Sequence, residues 1–241
     1  MISVVIPTLN EAPILPRLLA QLARETTAHE VIVVDGGSTD GTPPLAETSG
    51  ARVLSVPGGR GRQLAAGAGA AAGDVLLFLH ADCVFPAGGL RLITEALAAP
   101  AVVGGNFRLL FDGDDRFSRW LNGFYAAIRR RGFYYGDSGV FVRRAVYDAL
   151  GGIRPIALME DYDFVRRLEK AGPTACIAEP LVTSARRFAG RSLATIVLGW
   201  LAIHAFFHLG VSPERLARFY DSERRREKES VQNIGVGMSP Q

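Results

Sequence analysis

The first hundred residues alternate between two hydrophobic periods. Ile2–Pro7, Val31–Val34, Arg52–Val56 and Val75–Leu79 are short apolar runs rich in β-branched residues, which predicts strands. Between them, Ile14–Leu22 carries apolar residues at helical spacing and Gln63–Ala72 is a helix-like stretch of small residues; Leu90–Ala98 is a further helix. Strands alternating with helices predict βαβ units and a mostly parallel sheet buried on both faces. The middle is less regular: Val102–Phe111 reads as a strand, Arg116–Arg130 as a helix, and Val140–Arg143 as a strand leading into the helix Arg144–Leu150. Glu160–Lys170 places Phe164, Val165 and Leu168 on one helical face, and Thr183–Phe188 is polar and basic. A long apolar helix, Leu193–Leu209, precedes a charged helix from about Pro213, and the Gly-, Ser- and Pro-containing tail after Lys228 reads as disorder. The division expected is a main domain over 1–190, a helical extension over 191–228 and a tail over 229–241.

Three strands end in polar or acidic residues: Pro7-Thr8-Leu9-Asn10-Glu11, Asp35 through Thr42, and His80-Ala81-Asp82. Any one could be a turn and helix cap. In a parallel sheet, however, all three open on the same edge, where ligands of such sheets bind. An acidic site there suits a divalent cation held by oxygen. Gly58-Gly59-Arg60-Gly61-Arg62 reads as a flexible loop with two guanidiniums before a helix, an arrangement that favours anions.

With 241 residues, 48% of them hydrophobic and 21% charged, the chain can bury a full core, which excludes global disorder. Two cysteines cannot build a disulfide framework, so a reducing, intracellular compartment is expected, and no secretory signal is visible at the start. A net charge of +3 and the lack of basic runs interleaved with aromatics argue against nucleic acid as partner. There are 25 Arg and only two Lys; Arg is the fork that grips phosphate in two places.

Val4 through Glu11, Val31 through Thr42 and Gly73 through Asp82 together resemble the family 2 glycosyltransferases. Gly136-Asp137-Ser138-Gly139, Met159-Glu160-Asp161, Thr183 through Phe188 and Leu209 through Leu216 are similar to one bacterial subgroup, named for arsenosugar biosynthesis. The resemblance spans about residues 2–220. It implies a GT-A fold and an inverting transfer of sugar from a nucleotide-diphosphate donor, UDP favoured, to a hydroxyl acceptor. It further implies a bacterial, cytoplasmic enzyme that uses Mg2+ or Mn2+. Pro7, Thr8, Glu11 and Asp35 match nucleotide-binding positions, Asp35 accepting from the base's imide N–H. Arg62 is the choice for a further base or phosphate contact, ahead of Arg60. Asp82 matches the metal ligand and His80 stands where the family's first Asp would be. Asp161 matches the catalytic base, whose pKa would need lifting by burial or by its neighbour Glu160. Asp137 is expected near sugar or acceptor, in a loop where the subgroup more usually has Gln at Ser138. Arg186 and Arg187 are expected near the leaving diphosphate.

Two competitors stand beside this reading. A nucleotidyltransferase of related fold would need a Gly-rich loop with Lys after the first strand, and Thr8–Ala12 has neither. A non-catalytic nucleotide- or lipid-binding module is kept open by His80. Gly136–Gly139 echoes a serine-protease signature, but the α/β pattern is wrong for that fold. Gly67 through Ala72 fits a dinucleotide motif but precedes a strand instead of following one, so helix packing explains it better. His204 and His208 lack the Glu of a zinc-protease motif and read as packing. Leu193–Val211 has 19 residues without formal charge, enough to span a bilayer, yet Thr195, Gly199, Trp200 and two His weaken a span. A buried helix and one lying on a membrane look alike here; Arg186, Arg187 and Arg191 before it would suit an anionic cytoplasmic surface.

Overall fold

The computed structural model describes residues 1–185 and 193–219. Arg186, Arg187 and the C-terminal tail lie outside the described residues. The described chain forms two compact units, one from Met1–Pro155 with Met159–Ala185, the other from Ile156–Leu158 with the described residues from 193 on.

The first unit holds a seven-stranded sheet. Its strands are β1 (Ile2–Thr8), β2 (His29–Asp35), β3 (Arg52–Ser55), β4 (Val75–Phe78), β5 (Gly104–Phe111), β6 (Val140–Arg143) and β7 (Thr174–Thr183). They lie in the order β3-β2-β1-β4-β6-β5-β7. All neighbours run parallel except β6, which is antiparallel to β4 and β5. The helices are α1 (Leu15–Leu22), α2 (Thr42–Thr48), α3 (Arg60–Ala70), α4 (Gly89–Ala96), α5 (Arg116–Arg129), α6 (Arg144–Ala149) and α7 (Glu160–Ala171).

Strand periodicity decides the layering. Ile2, Val4 and Ile6 of β1 face one core with Leu15, Leu18 and Leu22 of α1 and Leu90 and Ile93 of α4. Val5 between them faces the other, with Leu64 and Ala68 of α3 and Phe164, Val165 and Leu168 of α7. Gly67 lets α3 approach closely, since a Cβ there would lie 2.9 Å from Val34 Cγ2. The small residues of this helix therefore serve packing, as expected.

Two expectations are corrected. Arg60 is the first residue of α3 and not part of a flexible loop. The strand β7 was not foreseen: its exposed and buried positions do not alternate cleanly, and its register against β5 shifts between Phe107 and Arg108. The apolar C-terminal helix, α8, covers Leu193–His208, within one residue of the helix expected. No described helix is long and apolar enough to cross a membrane.

Candidate active site

The ends of β1 and β2 lie side by side, Thr8 paired with Asp35. The loops that follow are stitched by side chains bonding to backbone. Asn10 adopts a left-handed conformation (φ 56°); its amide oxygen accepts from Thr39 N at 2.9 Å while its own N–H donates to Ser38 Oγ at 2.8 Å. Glu11 N donates to Thr42 Oγ1 and Ala12 N to Asp40 Oδ2. From α3, buried Gln63 donates to the carbonyls of Thr8 (2.8 Å) and Val34 (2.7 Å), tying both strand ends together. Neither Asn10 nor Gln63 was singled out from sequence; Asn after a strand was a signal, whereas a Gln within a helix was none.

Asp35 is 3% exposed. Its Oδ2 accepts from Gly37 N and Ser38 N, and its Oδ1 from Ser38 Oγ and Thr8 Oγ1. Burial pushes its pKa up, but these bonds outweigh burial and leave it lowered. A carboxylate has about four acceptor positions, so a nucleobase reaching Asp35 would replace one of these donors, most simply the Ser38 hydroxyl. Arg62 is exposed and its guanidinium lies beside Gly58.

The other half of the site is an arginine held between two carboxylates. Arg60 Nε donates to Glu160 Oε1, and its Nη2 lies 3.5 Å from Asp161 Oδ2. Its Nη1 is 3.4 Å from His80 Nε2, a contact that requires that ring nitrogen to accept. Glu160 and Asp161 open α7 behind Met159, which is left-handed (φ 68°) despite its side chain; such strain gathers at functional sites. Asp161 Oδ2 also accepts from Gly136 N at 2.9 Å, and its Oδ1 from Tyr162 N at 2.8 Å. A Cβ at Gly136 would lie 3.1 Å from Asp161 Oδ2 and 3.4 Å from His80 Nε2, so glycine lets the backbone approach both groups.

The two adjacent acids titrate in opposite directions. Burial raises Glu160, and Asp161 beside it adds to the rise beyond what Arg60 offsets. Burial also pushes Asp161 upward, but Arg60 and the Gly136 and Tyr162 N–H groups together hold it below the usual carboxylate range. This corrects the expectation that Asp161 has a lifted pKa. Arg60, not Arg62, is the cation that reaches the carboxylates. Asp137 and Ser138 sit buried in the 3₁₀ turn Gly136–Ser138, and Tyr135 stacks on Tyr162 with ring centres 6.2 Å apart.

His80 and Asp82 follow β4 and are both half-buried. No group of three or more His, Cys, Asp or Glu is placed to hold a metal among the described residues. Protein donors there form no cage. A divalent cation at Asp82 would fit as Mg2+ commonly binds, through one or two protein ligands, with phosphate oxygens and water completing its shell.

A cavity of about 800 Å3 lies on the other side of the Tyr134–Ser138 segment, between α5 and the strands β5 and β7. Tyr125, Arg129, Tyr134, Ser138, Thr174 and Cys176 are among its lining. It adjoins the carboxylates through a shared loop but does not contain them.

The sequence profile described as Glycosyl transferase family 2 matches residues 3–148. The chain belongs to this family. Glucosyl-3-phosphoglycerate synthase of Mycobacterium tuberculosis is 32% identical over 120 residues, 45% of this chain and 36% of that protein. 4,4'-Diaponeurosporenoate glycosyltransferase of Staphylococcus haemolyticus is 36% identical over 89 residues, 34% of this chain and 24% of that one. The chain thus matches about a third or less of the length of these relatives. Among solved structures, a mannosyltransferase of Pyrobaculum calidifontis, in complex with GDP-Man and Mn2+, superposes with a TM-score of 0.64 at 22% identity, covering 86% of this chain and 63% of that one. The Mycobacterium tuberculosis synthase with Mn2+, UDP and glucosyl-3-phosphoglycerate gives 0.55 at 23% identity, covering 76% and 70%. These structures establish the GT-A-like glycosyltransferase fold, a mostly parallel sheet flanked by helices.

Proposed function

We propose that this glycosyltransferase moves a sugar from a nucleotide-diphosphate donor to a hydroxyl acceptor, with inversion at the anomeric carbon. The observation that carries the reading is the meeting of Arg60, Glu160, Asp161 and His80 in a chain of the family-2 type. The nucleotide would lie over the ends of β1 and β2, against Pro7, Thr8, Glu11 and Asp35, with Arg62 at the rim. The carboxylate acceptor at Asp35 suits the imide of uracil, and UDP in a solved structure of the same fold supports that preference. The GDP-mannose complex keeps guanine as the alternative.

Asp82, with His80 beside it, would hold Mg2+ or Mn2+, as found with the structural relatives. Bound there, the ion supplies positive charge for the leaving diphosphate. The chain's own part is the acid–base chemistry. Asp161 accepts the proton of the attacking hydroxyl as that oxygen bonds to the anomeric carbon and the nucleoside diphosphate departs. Arg60 is placed to serve two partners. In the free enzyme its one charge is shared between Glu160 and Asp161; a diphosphate beside it would draw the guanidinium away, and Asp161 would then rise toward the range of a useful base. Asp137 faces the same loop and is assigned to sugar or acceptor. Arg186 and Arg187 remain assigned to the leaving diphosphate.

The likeness of Met159–Asp161 and the 136–139 loop to the arsenosugar-named subgroup supports a bacterial enzyme but does not name the acceptor. Cys83 and Cys176 are free thiols, which supports a cytoplasmic location. Titration calorimetry with UDP, GDP, CDP and dTDP, each with and without Mn2+, tests the donor site. One nucleotide should bind, more tightly with metal, and Asp82→Asn should lose the metal's enhancement while keeping the nucleotide. No binding by any nucleotide would overturn the reading.

A further inference from the structure

Helix α8 is apolar on the side it shows to solvent. Ile196 and Ile203 are 1% and 7% exposed, whereas Leu198, Leu201 and Leu209 just beyond the helix are 65%, 61% and 78% exposed. At 100° per residue Leu198, Leu201 and Leu209 fall on one face, together with exposed Ala205. No charged residue interrupts Leu193–Val211. Three large side chains in one stripe are unlike the scattered single apolar residues of an ordinary surface.

Charge indicates what covers the stripe. From residue 186 to the C-terminus the sequence has nine Arg and Lys against five Asp and Glu, net +4, although the whole chain carries only +3. The positive charge therefore belongs to the segment that holds α8, and the remainder is slightly acidic. Within the described part, Arg215 and Arg218 are exposed three residues apart on the helical stretch 213–219, outnumbering the exposed Glu214 beside them, while Leu216 is buried. Two copies of the 186–241 segment, each net +4, would repel one another. An anionic lipid surface matches both features, apolar side chains entering the acyl boundary and arginines meeting headgroups. The exposed stripe is one-sided, with Ile196 and Ile203 buried opposite it, so α8 would lie along the bilayer.

We propose that α8 and residues 213–219 dock this glycosyltransferase on anionic membrane, with Leu198, Leu201 and Leu209 as the inserted residues and Arg215 and Arg218 as headgroup contacts. The proposal is independent of the donor reading. It is tested by sedimenting the full chain with vesicles of phosphatidylcholine alone and of phosphatidylcholine with phosphatidylglycerol. The chain should bind the anionic vesicles and be released by salt. Leu198→Glu with Leu201→Glu should weaken partitioning at least about tenfold, and Arg215→Gln with Arg218→Gln roughly tenfold or more. Both variants should keep the parent's unfolding midpoint and nucleotide binding. If the leucine pair fails to fold, the arginine pair decides. Failure to bind anionic vesicles, or equal binding to neutral ones, overturns the proposal. So does a dimer in light scattering that the leucine substitutions dissociate without changing vesicle binding.

Discussion

Arg60 touches two carboxylates and an imidazole, and the site's behaviour follows from where it points. Its guanidinium keeps Asp161 ionised in the free enzyme, so the acidic limb of kcat/KM, which reports free enzyme, should lie below the ordinary Asp value of about 3.9. The limb of kcat, which reports the bound complex, should lie higher, because diphosphate competes for Arg60. A pH profile with both limbs at the same place would sink this exchange. Arg60→Gln should move the kcat/KM limb upward. Asp161→Asn should lower kcat by roughly 10²–10⁴-fold while calorimetry shows donor affinity retained; equal loss of both would assign Asp161 to binding. The motif Met159-Glu160-Asp161 was legible in sequence, but the opposed titration of its two acids was not. That depends on Arg60, a hundred residues away, lying against Glu160.

At the scale of elements, the candidate site is an assembly of strand ends held by backbone-directed side chains. Gln63 is the pin: it reaches from α3 to the last carbonyl of β1, at Thr8, and the penultimate one of β2, at Val34. Gln63→Leu should destabilise the fold by about 1–3 kcal/mol, measured by denaturant unfolding, and should weaken nucleotide binding as Thr8 and Asp35 lose their alignment. Unchanged nucleotide affinity in a destabilised variant would separate the pin from the site. Parallel strands β1, β2 and β4 were readable because each is an apolar run rich in aliphatic residues, and β3 because Val53 and Leu54 lie between turn signals and a helix. The strand β7 escaped because its residues Cys176, Glu179 and Pro180 break any alternation, and its place in the sheet comes from pairing with β5.

For the whole molecule, stability should respond to acid in a direction set by its buried carboxylates. Glu30, Asp35 and Asp161 all have lowered pKa values in the fold. For each, burial works upward and is outweighed, by hydrogen bonds from Ser3, Ala72 and Gly73 with the Arg52 charge at Glu30, and by the contacts described above at the other two. Groups of this sign contribute stability above their unfolded values, near 4, and lose it as pH falls through the folded ones. Glu160, which is raised, contributes oppositely: its share is present below its unfolded value and lost as pH rises through the folded one. Exposed Asp40 and Asp115, lowered by hydrogen bonds from Thr42 and Ser118, have the same sign as the first three. With five lowered carboxylates against one raised, the unfolding temperature should be flat near neutrality and fall steeply below about pH 4; a midpoint that rises on acidification would contradict the balance. The two thiols should also separate. Cys83 is buried, its pKa pushed up by burial and by Asp82, whereas Cys176 is exposed in the lining of the cavity beside β7. A thiol reagent should therefore modify one cysteine in the native protein and two after denaturation.

The sequence alone determined the architecture of the first half of the chain and the edge at which its polar residues meet, because hydrophobic period and parallel topology are local properties that leave few arrangements open. It also carried the family motifs and the identity of both acids. Only the tertiary structure decided which arginine serves them. Arg60 and Arg62 are two residues apart and alike in chemistry, yet one lies against Glu160 and Asp161 and the other beside Gly58. That choice is made by where α3 begins. The sidedness of α8 was decided in the same way: its apolar residues run all round in sequence, and only packing buries Ile196 and Ile203 while leaving Leu198 and Leu201 exposed.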